Sequence, residues 1–153
     1  MNTMLAIGTA KGLFVARSAD RRRWEISGPH APMTAVYAIG IDTRVRDSGR
    51  PPRLLIGVSS SHWGPSVTVS DDLGGTWVER DESPVAFPEG TDGTVERIWQ
   101  LTPGPADRPE VLYAGTQPSA LFVSTDGGAS FSLVRSLWEH PHREQWGAGY
   151  GGQ

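Results

Sequence analysis

The sequence predicts an all-β chain assembled from one repeated unit of about four short strands. Three observations predict it. Nineteen glycines and 12 prolines among 153 residues favour short elements joined by turns over long helices. Short runs rich in Val, Ile, Leu and Tyr recur along the chain, the residue types that suit a pleated, half-buried surface. Finally, the stretch VSDDLGGTWVER from Val69 is nearly rewritten as VSTDGGASFSLV from Val123, which sets Ser70 and Ser124 54 residues apart.

Aligned on those serines, three segments correspond: LAIGTAKGLFVARSADRRRWEI from Leu5, LLIGVSSSHWGPSVTVSDDLGGTWVE from Leu54, and VLYAGTQPSALFVSTDGGASFSL from Val111. Each opens with an apolar strand ending near a glycine (Gly8, Gly57, Gly115). A variable loop leads to a second strand that runs into Ser18, Ser70 or Ser124, and a last strand starts at Trp24, Trp77 or Phe131. Alternating runs, AVYAIGID from Ala35 and ERIWQLTP from Glu96, precede the second and third segments. Labelled A to D, the second unit (35–80) has strands at 35–42, 53–58, 66–70 and 76–80. The third (96–135) has them at 96–102, 111–116, 120–124 and 130–135, and the first (4–27) lacks its A strand. Short connections make each unit an antiparallel meander, and four-stranded meanders at this period are the blades of a β-propeller. A β-sandwich would not require strands in identical groups of four. The expectation is therefore a single partial β-propeller domain over 1–153, of about three four-stranded antiparallel blades. Residues 136–153 would form a loop leading to a missing blade. Such a truncated ring has open sheet edges, which favour self-association.

The repeated motif comprises Ser70, Asp72, Gly74, Thr76 and Trp77, and again Ser124, Asp126, Gly128, Ser130 and Phe131, on the hairpin between strands C and D. Glycine tolerates the positive φ of a tight reversal, and an aspartate there accepts backbone N–H groups left open by the turn. The hydroxyls satisfy the remaining polar groups, and the aromatic residue packs between sheets. These roles are structural. The first unit keeps Ser18, Asp20 and Trp24, is one residue shorter, and has Arg22 where the glycine belongs. The motif resembles the Asp-box of bacterial neuraminidase (BNR) repeats. Nearly the whole chain resembles the N-terminal portion of a BNR or WD40/YVTN-like β-propeller protein of the sialidase or glycosyl-hydrolase-like group. Asp-boxes also occur in xyloglucan-cleaving hydrolases, sortilin-type receptors and photosystem II assembly factors, so the resemblance implies a fold and no single activity. A sialidase would carry an arginine triad, a Tyr–Glu nucleophile pair, an acidic proton donor and an early Arg-Ile-Pro motif. This sequence has no Arg-Ile-Pro, and no catalytic residue carries over by position.

In a meander blade the B–C and D–A loops emerge on one face and the C–D hairpins on the other. The front-face loops are 27–35, 59–66, 81–97 and 136–150, and they carry all four histidines, His30, His62, His140 and His142. Trp63, Glu89, Asp92, Trp138, Arg143 and Trp146 lie there too. Function concentrates on such loops. The ligand-binding candidates are His62, Trp63, Glu96, Arg97, His140, His142 and Arg143, drawn together into one front-face cleft. Glu96 and Arg97 open an inner strand, as an ion pair at the channel mouth or as a clamp on a ligand. Asp92 and Glu96 offer a glycosidase-type carboxylate pair, although acidic loop residues are more commonly solvated. His140 and His142 lack a third metal ligand, so no metal is expected.

The formal net charge of −3 provides no broad attraction for nucleic acid or an anionic membrane, and Arg21–Arg23 read as a solvated turn. The absence of cysteine excludes disulfides and thiolate metal sites. The N-terminus lacks a basic region and breaks its apolar run at Gly8 and Lys11, unlike a signal peptide. No apolar run reaches membrane-spanning length. A cytoplasmic location is expected, with no cofactor. The expected function is a binding scaffold for a carbohydrate, another small polar ligand or a protein, without catalysis by this chain alone. Alternatives are part of a glycoside hydrolase completed by missing blades, and an assembly factor docking another protein.

Overall fold

Alternation along Ala35–Asp42 turns Val36, Ala38, Gly40 and Asp42 inward, and the same two-residue period recurs through the chain. The computed structural model describes residues 3–44, 49–78, 80 and 82–146, and these form ten strands in three antiparallel sheets. Sheet one comprises β1 (Thr3–Thr9), β2 (Gly12–Ser18) and β3 (Glu25–His30), in that order. Sheet two comprises β4 (Ala35–Asp42), β5 (Arg53–Ser60) and β6 (Gly64–Ser70). Sheet three comprises β7 (Arg97–Pro103), β8 (Leu112–Gln117), β9 (Ala120–Ser124) and β10 (Ser132–Leu133), and the short helix α1 (Arg135–Trp138) follows it.

The chain is thus all-β, with the strands of each unit paired in chain order. Only sheet three has the four strands expected of every full unit. The fourth strand expected at 76–80 is not formed among the described residues. Val78 N–H donates to Val69 O at 2.9 Å, but Val78 is largely exposed and the following sequence is charged, so no apolar row holds the segment down. The fourth strand of the third unit is shorter than 130–135, because α1 begins at Arg135. The tail 147–153, read from sequence as the approach to a further unit, lies outside the described residues.

Two cores separate the sheets. The larger one joins Leu55, Val67 and Val69 of sheet two to Ile98, Leu112 and Phe122 of sheet three. The smaller joins Leu13 and Val15 to Val36 and Ile56, with Trp77 packed against it. Each fully buried side chain of this size contributes about 1.5–3 kcal/mol. Close approach requires Gly57, where an added Cβ would lie 3.0 Å from both Ala38 Cβ and Ile98 Cγ2.

Arginines bind each sheet to the next. Arg44 forms a two-point ion pair with buried Asp42, at 2.9 and 2.7 Å, and also donates to the carbonyls of Pro105, Arg108 and Pro109. Burial alone would raise the Asp42 carboxyl, but the hydrogen bonds and charge of Arg44 hold it below the usual range. Arg17 donates to Leu73 O at 2.6 Å and Arg53 to Gly127 O at 2.9 Å, so each reaches the hairpin loop of the following unit. No helix among the described residues is long and apolar enough to cross a membrane.

Candidate functional site

The hairpin loops show what the repeated motif does. Ser70 Oγ accepts the Gly74 N–H at 2.8 Å and donates to Asp72 Oδ1 at 2.7 Å. Asp72 Oδ1 accepts the Thr76 N–H and Oδ2 the Thr76 hydroxyl, both at 2.8 Å. Ser124, Asp126, Gly128 and Ser130 repeat the four bonds at 2.8, 2.7, 2.9 and 2.6 Å. The Thr76 N–H, followed by the Ser70 and Thr76 hydroxyls, holds the Asp72 carboxyl down at about 2. For Asp126 burial pulls upward, but the Ser130 hydroxyl and N–H and the Ser124 hydroxyl outweigh it, again at about 2. A carboxylate this acidic, with both oxygens engaged in its own loop, is a poor proton donor near neutrality.

The first unit explains its own missing glycine. Its loop has one positive-φ residue, Arg21 (φ 60°), whereas the intact loops have two in succession: Leu73 (59°) and Gly74 (90°), then Gly127 (73°) and Gly128 (92°). The one-residue deletion removes the second left-handed position, and Arg22 does not have to adopt it. Asp20 still accepts the N–H groups of Arg22 and Arg23, at 2.8 and 2.9 Å.

The described contacts give the seven ligand-binding candidates different neighbours. Trp63, 85% exposed, lines a cavity beside β6 that none of the other six lines. His62 is exposed, and its backbone N–H bonds to Ser60 Oγ at 3.1 Å. His140 stacks on Trp146 with centroids 5.2 Å apart and meets His142 edge-on at 5.3 Å. The Arg143 guanidinium lies 3.6 Å over Trp138, which in turn packs on Phe87 at 4.6 Å. The 136–146 segment is therefore tied to itself and to the 82–96 segment. Among the described residues no three His, Asp or Glu side chains are grouped to hold a metal ion.

Glu96, which precedes β7, and Arg97, its first residue, also take different partners. Glu96 Oε2 accepts from Gln117 Nε2 at 2.8 Å, and no Glu96–Arg97 ion pair exists among the described residues. Asp92 is exposed. Arg97 instead lies against two rings, 4.5 Å from the Tyr37 centroid and 4.8 Å from that of Trp99.

Tyr37 and Trp99 were not among the sequence candidates, and they occupy matching places in two units. The β4–β5 register slips between Val36 and Ala38, and the β7–β8 register slips between Ile98 and Gln100. Each slip leaves one aromatic residue, Tyr37 or Trp99, without a partner in the ladder. The two rings meet edge-on at 5.6 Å and remain 44% and 48% exposed. Tyr37 is third in AVYAIGID and Trp99 fourth in ERIWQLTP, so the two runs superpose these residues only when offset by one position. The register slips supply that offset, and a direct alignment of the two runs does not. Arg97 Nε is buried without a hydrogen-bond partner, and no acceptor engages the guanidinium among the described residues. A cation held by two aromatic faces with donors to spare suits an anionic, planar group.

No protein-family model matches the chain, and no curated protein sequence matches it.

Proposed function

We propose that the chain is a ligand-binding portion of an Asp-box β-propeller, and that Arg97 receives an anionic group of a small polar ligand such as an acidic sugar. The propeller reading rests on the chain-order pairing within each sheet and on the packing of each sheet against the next. It is further supported by the two hairpin loops with the same serine and aspartate bonds. In this reading β4 and β7 are inner strands beside the central channel. The carrying observation for ligand binding is the pair of equivalent bulges, which places Tyr37 and Trp99 around an Arg97 lacking an acceptor. Binding requires no catalytic carboxylate from this chain, and both intact box aspartates are engaged in their own turns.

The test is calorimetric titration with glucuronate and glucose. Glucuronate is expected to bind measurably better than glucose, and Arg97→Gln is expected to abolish the difference without lowering the melting temperature. Equal binding of the two sugars, or an Arg97→Gln protein that keeps the preference, would overturn the reading. A second reading follows from Leu5 and Ile7, 46% and 42% exposed on edge strand β1: this edge takes a further strand, from another chain or another copy. Sedimentation of the chain decides it, since a monomer at every concentration would rule out pairing between copies.

A further inference from the structure

A cavity of about 660 Å³ opens between the β3–β4 turn and the outer side of sheet two. Its size falls within the ~300–1,000 Å³ typical of small-molecule sites. Pro32, Val58 and Val67 contribute apolar wall, and Trp63 borders it. Among the described residues three buried side-chain nitrogens lack a hydrogen-bond partner, and two of them, His30 Nε2 and Trp77 Nε1, belong to residues lining this cavity. Their rings lie 6.0 Å apart. An indole N–H can only donate, so what Trp77 lacks is an acceptor. Packing alone does not require an indole here, because the corresponding residue of the next unit is Phe131, which is buried in the core.

We infer that this cavity is a second ligand site, separate from Arg97, for a small monocarboxylate with a flat apolar body. The carboxylate accepts from Trp77 Nε1–H and from a ring N–H of His30, with the Arg80 guanidinium on the same lining. The apolar body lies against Pro32, Val58 and Trp63. Glu82 also lines the cavity and selects against ligands carrying a second negative charge.

The probe is benzoate, titrated into the ¹⁵N-labelled 153-residue chain while the indole N–H resonances are followed. The Trp77 resonance, assigned by its loss in Trp77→Phe, is expected to shift saturably, and benzylamine is expected to leave it unmoved. Trp77→Phe and His30→Phe are each expected to weaken benzoate binding about tenfold, the loss of one charge-assisted hydrogen bond. A Trp77 resonance that benzoate does not move means the cavity holds water only and overturns the inference. So does an equal response to benzylamine, or undiminished binding by a folded Trp77→Phe protein. If that variant does not fold, the wild-type titration and His30→Phe decide. A shift at the Trp99 indole reports the Arg97 site, so failure at one site is distinguishable from failure at the other.

Discussion

The second and third hairpins share the hydrogen bonds of their serine and aspartate side chains, yet they leave their sheets in different states. After Phe131 the chain continues along β9, pairing Ser132 with Val123 and Leu133 with Phe122, and Val134 N–H then donates to Leu121 O at 2.9 Å. After Trp77 the described pairing stops at Val78. Phe131 and Leu133 are both buried in the larger core, whereas Trp77 is half-buried beside a cavity and the position matching Leu133 is Glu79 in the sequence. The box therefore determines the turn and nothing beyond it. Whether the outer strand closes depends on the apolar residues that follow, because a strand persists only where its inward row is buried.

The largest expected effect tests the closed side of this comparison. Phe131→Ala should destabilise the chain by about 3–5 kcal/mol, the cost of an emptied aromatic core site, measured by urea unfolding. Trp77→Ala should cost clearly less, since its ring already borders open space. Equal losses would show that the second hairpin is sealed as tightly as the third.

A smaller effect tests what the hairpins share. Ser70→Ala and Ser124→Ala each remove the acceptor of a buried glycine N–H, that of Gly74 or Gly128. Each should cost about 1–3 kcal/mol, and the two losses should match. A substantial difference in denaturation midpoints would show that the loops differ energetically despite their shared serine and aspartate bonds.

The smallest expected effect concerns pH. Asp72 and Asp126 ionise at about 2 in the fold against 3.8 for a free carboxyl, so the folded chain binds fewer protons than the unfolded one between those values. Their contribution is fully present above about pH 4 and is lost as pH falls towards 2. Asp72→Asn combined with Asp126→Asn should flatten the acid limb of the melting-temperature profile. An unchanged acid limb would indicate that other carboxylates, such as buried Asp42, govern acid unfolding.

Strand order and the hairpin chemistry were legible in the sequence because both are local. A two-residue period identifies β4, with the expected limits 35–42, and β9 at 120–124. A Ser-x-Asp-x-Gly spacing determines which N–H groups fall within reach of which oxygens. The candidate cleft was not legible in the same way. Loops emerging on one side of a sheet need not approach each other, and the histidines of 136–146 pack on Trp146 and on one another rather than against His62 or Arg97.

The sequence by itself determined an all-β chain, three meandering units, and two turns whose serine and aspartate side chains bond within their own loops. Tertiary structure alone decided that the register slips in β4 and β7, that Arg97 lies between Tyr37 and Trp99, and that His30 and Trp77 border a cavity. These depend on how one sheet rests on the next. A hydrogen-bonded turn is satisfied by its own neighbours in the chain. A bulge or a cavity instead results from the packing of residues that are distant in sequence, and no local pattern encodes that packing.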